Sequence, residues 1–173
     1  MIGLSRYTVA LVDHQSQWMA YAERRCQAIA RACHEIDCDI QHVGSTAVPD
    51  LLAKPIIDIV VGLVSMGDKR KVQLILAELG YVYRGVGEGS TGHFFVLENS
   101  PDVRAEHVHV VAYGSTNWDS YVLFRDALRN SDELRRRYTE LKQALKAKFP
   151  TNREEYTAEK ASFISSVLSG IAG

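Results

Sequence analysis

The sequence lacks any apolar run approaching the length needed to span a bilayer. Its first residues, Met1-Ile2-Gly3-Leu4-Ser5-Arg6, lack the apolar core and cleavage site of a signal peptide, so a cytoplasmic location is expected. It also lacks a dominant charge. Twenty Lys and Arg against 21 Asp and Glu leave a net charge of −1, which advertises neither nucleic-acid nor membrane binding. Cysteine is scarce: Cys26, Cys33 and Cys38 form an odd set without a CxxC pair. Buried reduced thiols are expected, with Cys26 and Cys33 on one helical face, and no zinc site. No internal repeat, low-complexity segment or interdomain linker is visible. What remains is a chain of 173 residues with 46% hydrophobic content, enough for a substantial core and read as one domain over residues 1–173. The oligomeric state is not legible.

The chemistry is concentrated in one stretch. Ile56-Ile57-Asp58-Ile59-Val60-Val61-Gly62 is a short run rich in β-branched residues and closed by glycine, the pattern of a buried strand. Asp58 is its one ionisable side chain, and a carboxylate there is costly unless a charged or hydrogen-bonding group meets it. A second apolar segment covers residues 40–43, and Gly44-Ser45-Thr46 follows it. Small hydroxyl residues after a strand can hold a phosphate. The stretch thus offers an anion cradle and a metal-binding carboxylate, joined by a linker carrying Lys54. An ordinary turn and a hydrogen-bonded structural Asp58 fit the same residues, and the pattern leaves both open.

The rest of the chain gives the frame. A strand is predicted over 7–12, with Asp13 as N-cap of a helix over 14–32. Trp18 and Tyr21 belong to its core face. A helix follows over 68–79, with Val72, Ile75, Leu76 and Leu79 as its stripe and Gly80 at its end. Strands are predicted over 81–84 and 93–97, joined by a glycine-rich loop over 85–92 that reads as a hairpin loop or lid. Residues 98–102 are read as a turn. Residues 104–111 alternate, placing Glu106, Val108 and Val110 on one face and Ala105, His107, His109 and Val111 on the other. Two histidines on one strand face can point into one site. Asn117 is read as the cap of a helix over 118–130, Ser131 as the cap of a helix reaching 149, and Thr151 or Asn152 as the start of a last helix. The run Arg135-Arg136-Arg137 is read as a solvated face. The sum is an α/β (α+β) chain with a mixed sheet flanked by helices and a C-terminal helical part.

The run HVGSTAVPDLLAKPIIDIVVGL over 42–63 resembles the signature of the GrpB-type family, a branch of the nucleotidyltransferase superfamily. HVHVVAYGSTNW at 107–118, LFRDALRN at 123–130, YTELKQAL and YTAEKASFI resemble the family in the same order. The resemblance implies the nucleotidyltransferase fold, with a short helix opening within 44–52. It also implies transfer of a nucleotidyl group from an NTP, expected to be ATP, to a small-molecule acceptor, or a related ATP-dependent activation. Gly44, Ser45 and Thr46 would hold the triphosphate, with Lys54 and Arg125 approaching phosphates. Arg125 could equally pair with Asp126. Asp58 would bind Mg²⁺ or Mn²⁺. The second acid of the superfamily strand pair would fall at Val60, so the pair is incomplete. His107 or His109 would take its place as general base or metal ligand, His109 being the expected ligand. Two other readings are compatible: an accessory folding module like the domain fused to dephospho-CoA kinases, and a hydrolase with a metal on Asp58, His107 and His109.

Overall fold

A computed structural model describes residues 2–86 and 92–171. The expected lid falls largely on residues 87–91, outside the described residues. Six strands form one mixed sheet: β1 (Leu4–Ser5), β2 (Cys38–Val43), β3 (Ile57–Leu63), β4 (Val82–Val86), β5 (His93–Ser100) and β6 (Val103–Ala112). The main path runs β2-β3-β6-β5-β4, and β1 pairs with the start of β6. Among the described residues only β3 and β6 run parallel; the other pairs are antiparallel. The described residues contain six α-helices: α1 (Gln17–Ala32), α2 (Lys69–Glu78), α3 (Thr116–Asn130), α4 (Asp132–Lys148), α5 (Arg153–Ala158) and α6 (Ala161–Ile171). Among the described residues no helix is long and apolar enough to cross a membrane.

Side-chain alternation along β3 and β6 divides the core. Ile57, Ile59, Val61, Leu63, Val108 and Val110 pack against Trp18 and Ile29 of α1 and Val72 and Leu76 of α2. On the opposite face Val43, Val60 and Val111 pack against Trp118 of α3. Gly62 makes that docking possible, since a Cβ there would lie 2.5 Å from the Trp118 ring. The later helices add their own apolar cluster, with Val48 and Leu51 meeting Phe124, Leu128 and Tyr138.

One acid lies in the first of these layers. Glu106 is fully buried. The Tyr21 hydroxyl donates to its Oε1 at 2.6 Å, and the Tyr81 hydroxyl donates to its Oε2. Arg25 Nε lies 2.9 Å and 3.1 Å from its two oxygens. This network ties α1 to the sheet and satisfies the carboxylate.

Several boundaries differ from the sequence reading. Residues 7–12 do not form a strand of the sheet. Val12 makes a single bridge with Ala53, and Val9 N–H donates to Pro150 O at 2.9 Å. The segment is claimed by the C-terminal helices, where Val9 packs on Leu145 and Tyr156. α1 starts at Gln17, after Ser16, whose side chain makes no capping bond, and not after Asp13. Ser115, not Asn117, caps α3 by accepting from Trp118 N–H. Ser131 caps α4 as expected, and Asn152 caps α5. The last helix is broken between Ala158 and Ala161, leaving Lys160 in the turn. Within the arginine run, Arg135 is not simply solvated: it donates to Leu128 O and Arg129 O and closes the end of α3.

Candidate functional site

The site begins where β2 ends. Gly44 has φ +71° and ψ −172°, a region open almost only to glycine. A Cβ there would also fall 2.7 Å from Asp58 Oδ2. Glycine therefore lets this backbone lie directly against the carboxylate. Ser45–Ala47 follows as a short 3₁₀ turn. Across the parallel ladder Asp58 stands opposite His107, and Val60 opposite His109. Asp58 Oδ1 lies 3.1 Å from His107 Nδ1 and 3.9 Å from His109 Nε2. The Tyr121 hydroxyl of α3 is 3.0 Å from His109 Nδ1. Phe94 of β5 stacks on His109 and meets His107 edge-on, at 5.1 Å and 5.0 Å between centroids. The Asp58 side chain is 31% exposed, so the carboxylate is reachable from solvent.

The electrostatics separate the members. Burial works to raise the Asp58 pKa, but hydrogen bonds and charge from His107 and His109 outweigh it and hold the carboxyl far below its usual range. Burial lowers His107 to about 4, against the opposing pull of Asp58.

A second group lies beside the first. Lys142 of α4 is only 2% exposed; its Nζ donates to Leu52 O and to Ser45 Oγ, the latter at 3.3 Å. Lys54 and Lys160 flank the Tyr156 ring, with Nζ atoms 5.0 Å and 4.8 Å from its centroid. Arg153 is near enough that its charge acts on Lys54 and Lys160. Among the described residues the lysine ion pairs lie elsewhere, at Lys71–Asp68 and Lys148–Glu159. Burial, then repulsion by Lys160, lowers Lys142 to about 7. Burial lowers Lys160 to about 8, with Arg153 adding to the effect and Asp58 opposing it. Lys54 falls well below the usual lysine range through burial and repulsion by Lys160 and Arg153. Asp58 is the acid whose charge acts on Lys54, Lys160 and Arg153.

The structure thus brings Gly44, Ser45, Lys54, Asp58, His107 and His109 to one side of the sheet. Two expected phosphate contacts are turned elsewhere. Thr46 is 1% exposed, and its hydroxyl bonds to Ile56 O and His42 Nε2. Arg125 gives Nε and Nη2 to Asp126 and Nη1 to Gln41 Oε1 and His42 O, which fastens α3 to β2. The pairing with Asp126 is therefore the one the structure shows. Sequence reasoning missed Lys142, Lys160, Arg153 and Tyr121. A signal existed for the two lysines: Tyr138-Thr-X-X-Lys142 and Tyr156-Thr-X-X-Lys160 share one spacing. At that spacing each ammonium reaches its own tyrosine ring.

The fold is nucleotidyltransferase-like. The Cid1 poly(U) polymerase bound to Mg and 3′-dATP superposes with a TM-score of 0.51 at 10% identity, over 71% of this chain and 40% of that one. That likeness concerns the fold alone, and this chain spans under half of the polymerase chain. A family profile described as GrpB protein matches residues 8–169, and the chain belongs to the GrpB family. The glutamate-rich protein GrpB of Alkalihalophilus pseudofirmus is 33% identical over 173 residues, 97% of this chain and 98% of that one. A UPF0157 protein of Pseudomonas aeruginosa is 38% identical over 87% of this chain, which spans 62% of that protein. The crystal structure of conserved protein GrpB from Enterococcus faecalis gives a TM-score of 0.79 at 29% identity, over 91% of this chain and 94% of that one. These names specify no reaction.

Proposed function

We propose that the chain binds a nucleoside triphosphate, with ATP the expected nucleotide, and transfers its nucleotidyl group to a small-molecule acceptor. The observation that carries this is the gathering of Lys54, Lys142, Lys160 and Arg153 beside Ser45 and Asp58. Half-buried and buried cations without paired carboxylates are costly, and a polyanion relieves that cost. The Gly44 backbone and Ser45 hydroxyl face the same space, with Lys142 already bonded to Ser45. Asp58 remains ionised and suits a divalent ion held against the phosphates. Such an ion, when bound, neutralises charge on the phosphoryl oxygens. The three cysteines are free, which suits a reducing compartment such as the cytoplasm.

Isothermal titration with a nonhydrolysable ATP analogue and a divalent cation tests the reading. Wild type is expected to bind, and adenosine, lacking phosphates, is not. Asp58→Asn, Lys142→Met and Lys160→Met should each weaken the analogue about tenfold or more, the loss of one charge-assisted contact. Identical titrations for wild type and all three variants would remove the nucleotide reading and leave an accessory role in front.

A further inference from the structure

The polymerase that shares the fold binds its nucleotide with Mg. Magnesium takes a near-octahedral shell of oxygens, most of them from water and phosphate with one or two carboxylates. The donors in this chain do not match that demand. Two of the three converging groups are imidazoles: Asp58, His107 and His109 each present one ligand atom, and these atoms lie within 4.8 Å of one another. Val60, where a second carboxylate would stand, is instead sealed in the apolar cluster with Val43, Val111 and Trp118. His109 occupies the position directly across the ladder from it.

We infer that this site selects a divalent first-row transition ion of the imidazole-binding class, such as zinc or cobalt, over magnesium, and that Tyr121 is a positioning residue for it. Imidazole nitrogen suits these ions and is a poor ligand for magnesium. The rings are already fixed. Phe94 stacks on one and meets the edge of the other. The Tyr121 hydroxyl holds His109 Nδ1 at 3.0 Å, which leaves Nε2 turned toward Asp58. A ligating histidine typically has its second nitrogen held in this way by an outer partner. Binding breaks the hydrogen bond between His107 Nδ1 and Asp58 Oδ1. It leaves one proton on each ring, on His107 Nε2 and His109 Nδ1, the latter facing Tyr121. Three protein ligands and a partly exposed carboxylate leave coordination positions open to a substrate oxygen.

The inference rests on Asp58 being the ion-holding carboxylate of the proposed nucleotide site, but its test uses no nucleotide. Chelator-treated protein is titrated calorimetrically with zinc, cobalt and magnesium chlorides, and the cobalt complex is read by its visible absorption. One equivalent of zinc or cobalt should bind at least about a hundredfold more tightly than magnesium. His107→Gln and His109→Gln should abolish the cobalt spectrum while circular dichroism shows a folded chain. Tyr121→Phe should keep the spectrum and weaken affinity about tenfold. Cys38→Ser should leave both unchanged, which separates this site from thiolate binding. His109→Asp should narrow the zinc-to-magnesium ratio by supplying an oxygen donor. Magnesium binding as tightly as zinc, or zinc affinity that survives both histidine changes, would overturn the inference. Failure of the nucleotide reading alone would appear as normal metal titrations with no response to the ATP analogue.

Discussion

Two acids on neighbouring strands, on opposite faces of one sheet, have met opposite fates. Glu106 is sealed beneath α1, and every polar partner around it is a committed donor: two tyrosine hydroxyls and one guanidinium. Asp58 faces α3, is partly exposed, and has two imidazoles whose nitrogens can release it. Around Glu106, cation and anion are matched. Around Asp58, the charges of Lys54, Lys160 and Arg153 all act on a single acid. A buried carboxylate is thus not a functional signal by itself. What sets Asp58 apart is a surplus of cationic side chains nearby that have no carboxylate ion pair among the described residues.

The comparison breaks if removing Glu106 is cheap. Glu106→Ala strips the acid from Arg25 and two tyrosines, and breaking a buried pair typically costs about 3–5 kcal/mol. Urea denaturation should show a loss of that size, with the Asp58 side untouched. A loss below about 1 kcal/mol would place Glu106 outside the structural frame.

Gly44→Ala comes next. The backbone there is open almost only to glycine, and the added methyl would press on Asp58 Oδ2. A stability loss of about 1–3 kcal/mol is expected, together with weakened metal and nucleotide response. If stability falls and ligand response does not, Gly44 matters for the turn alone.

The smallest expected effect sharpens the comparison through pH. Lys142 has its folded pKa lowered to about 7, while the unfolded chain holds the proton up to roughly 10.4. Between these values the unfolded state binds more protons, so this residue makes stability rise with pH and favours unfolding least at the alkaline end of the window. From pH 7 to 8.5 the contribution is on the order of 1 kcal/mol. Lys142→Met should flatten the stability-versus-pH slope of wild type over that window, and a saturating polyphosphate should flatten it too by keeping the ammonium charged. Equal slopes in wild type and Lys142→Met would show that Lys142 carries its charge without strain.

The sheet side of the site was legible because it is written locally. Alternation in 104–111 placed His107 and His109 on one face, and the β-branched run around Asp58 marked β3. The resemblance supplied the rest of the frame. The cationic side was not legible in the same way. Lys54, Lys142, Arg153 and Lys160 come from three distant segments, and no local period connects them. The helix starts failed for a related reason. Asp13 and Asn117 are sound caps by residue type, but α1 begins at Gln17 without a side-chain cap, and the Ser115 hydroxyl caps α3. The segment 7–12 has strand-like residues, yet its pairing is the single Val12–Ala53 bridge, and Val9 and Leu11 pack on the C-terminal helical layer.

Lys54 and Lys160 both bring their ammoniums to within 5.0 Å of the Tyr156 ring centroid. An aromatic face attracts a cation far less strongly than a phosphate oxygen does. On the proposed nucleotide reading, phosphate oxygens would therefore draw both ammoniums from the ring. The work of assembling these charges is done when the protein folds. Discrimination among ligands should then follow the number of their negative charges more than their shape, with triphosphates ahead of diphosphates and diphosphates ahead of monophosphates.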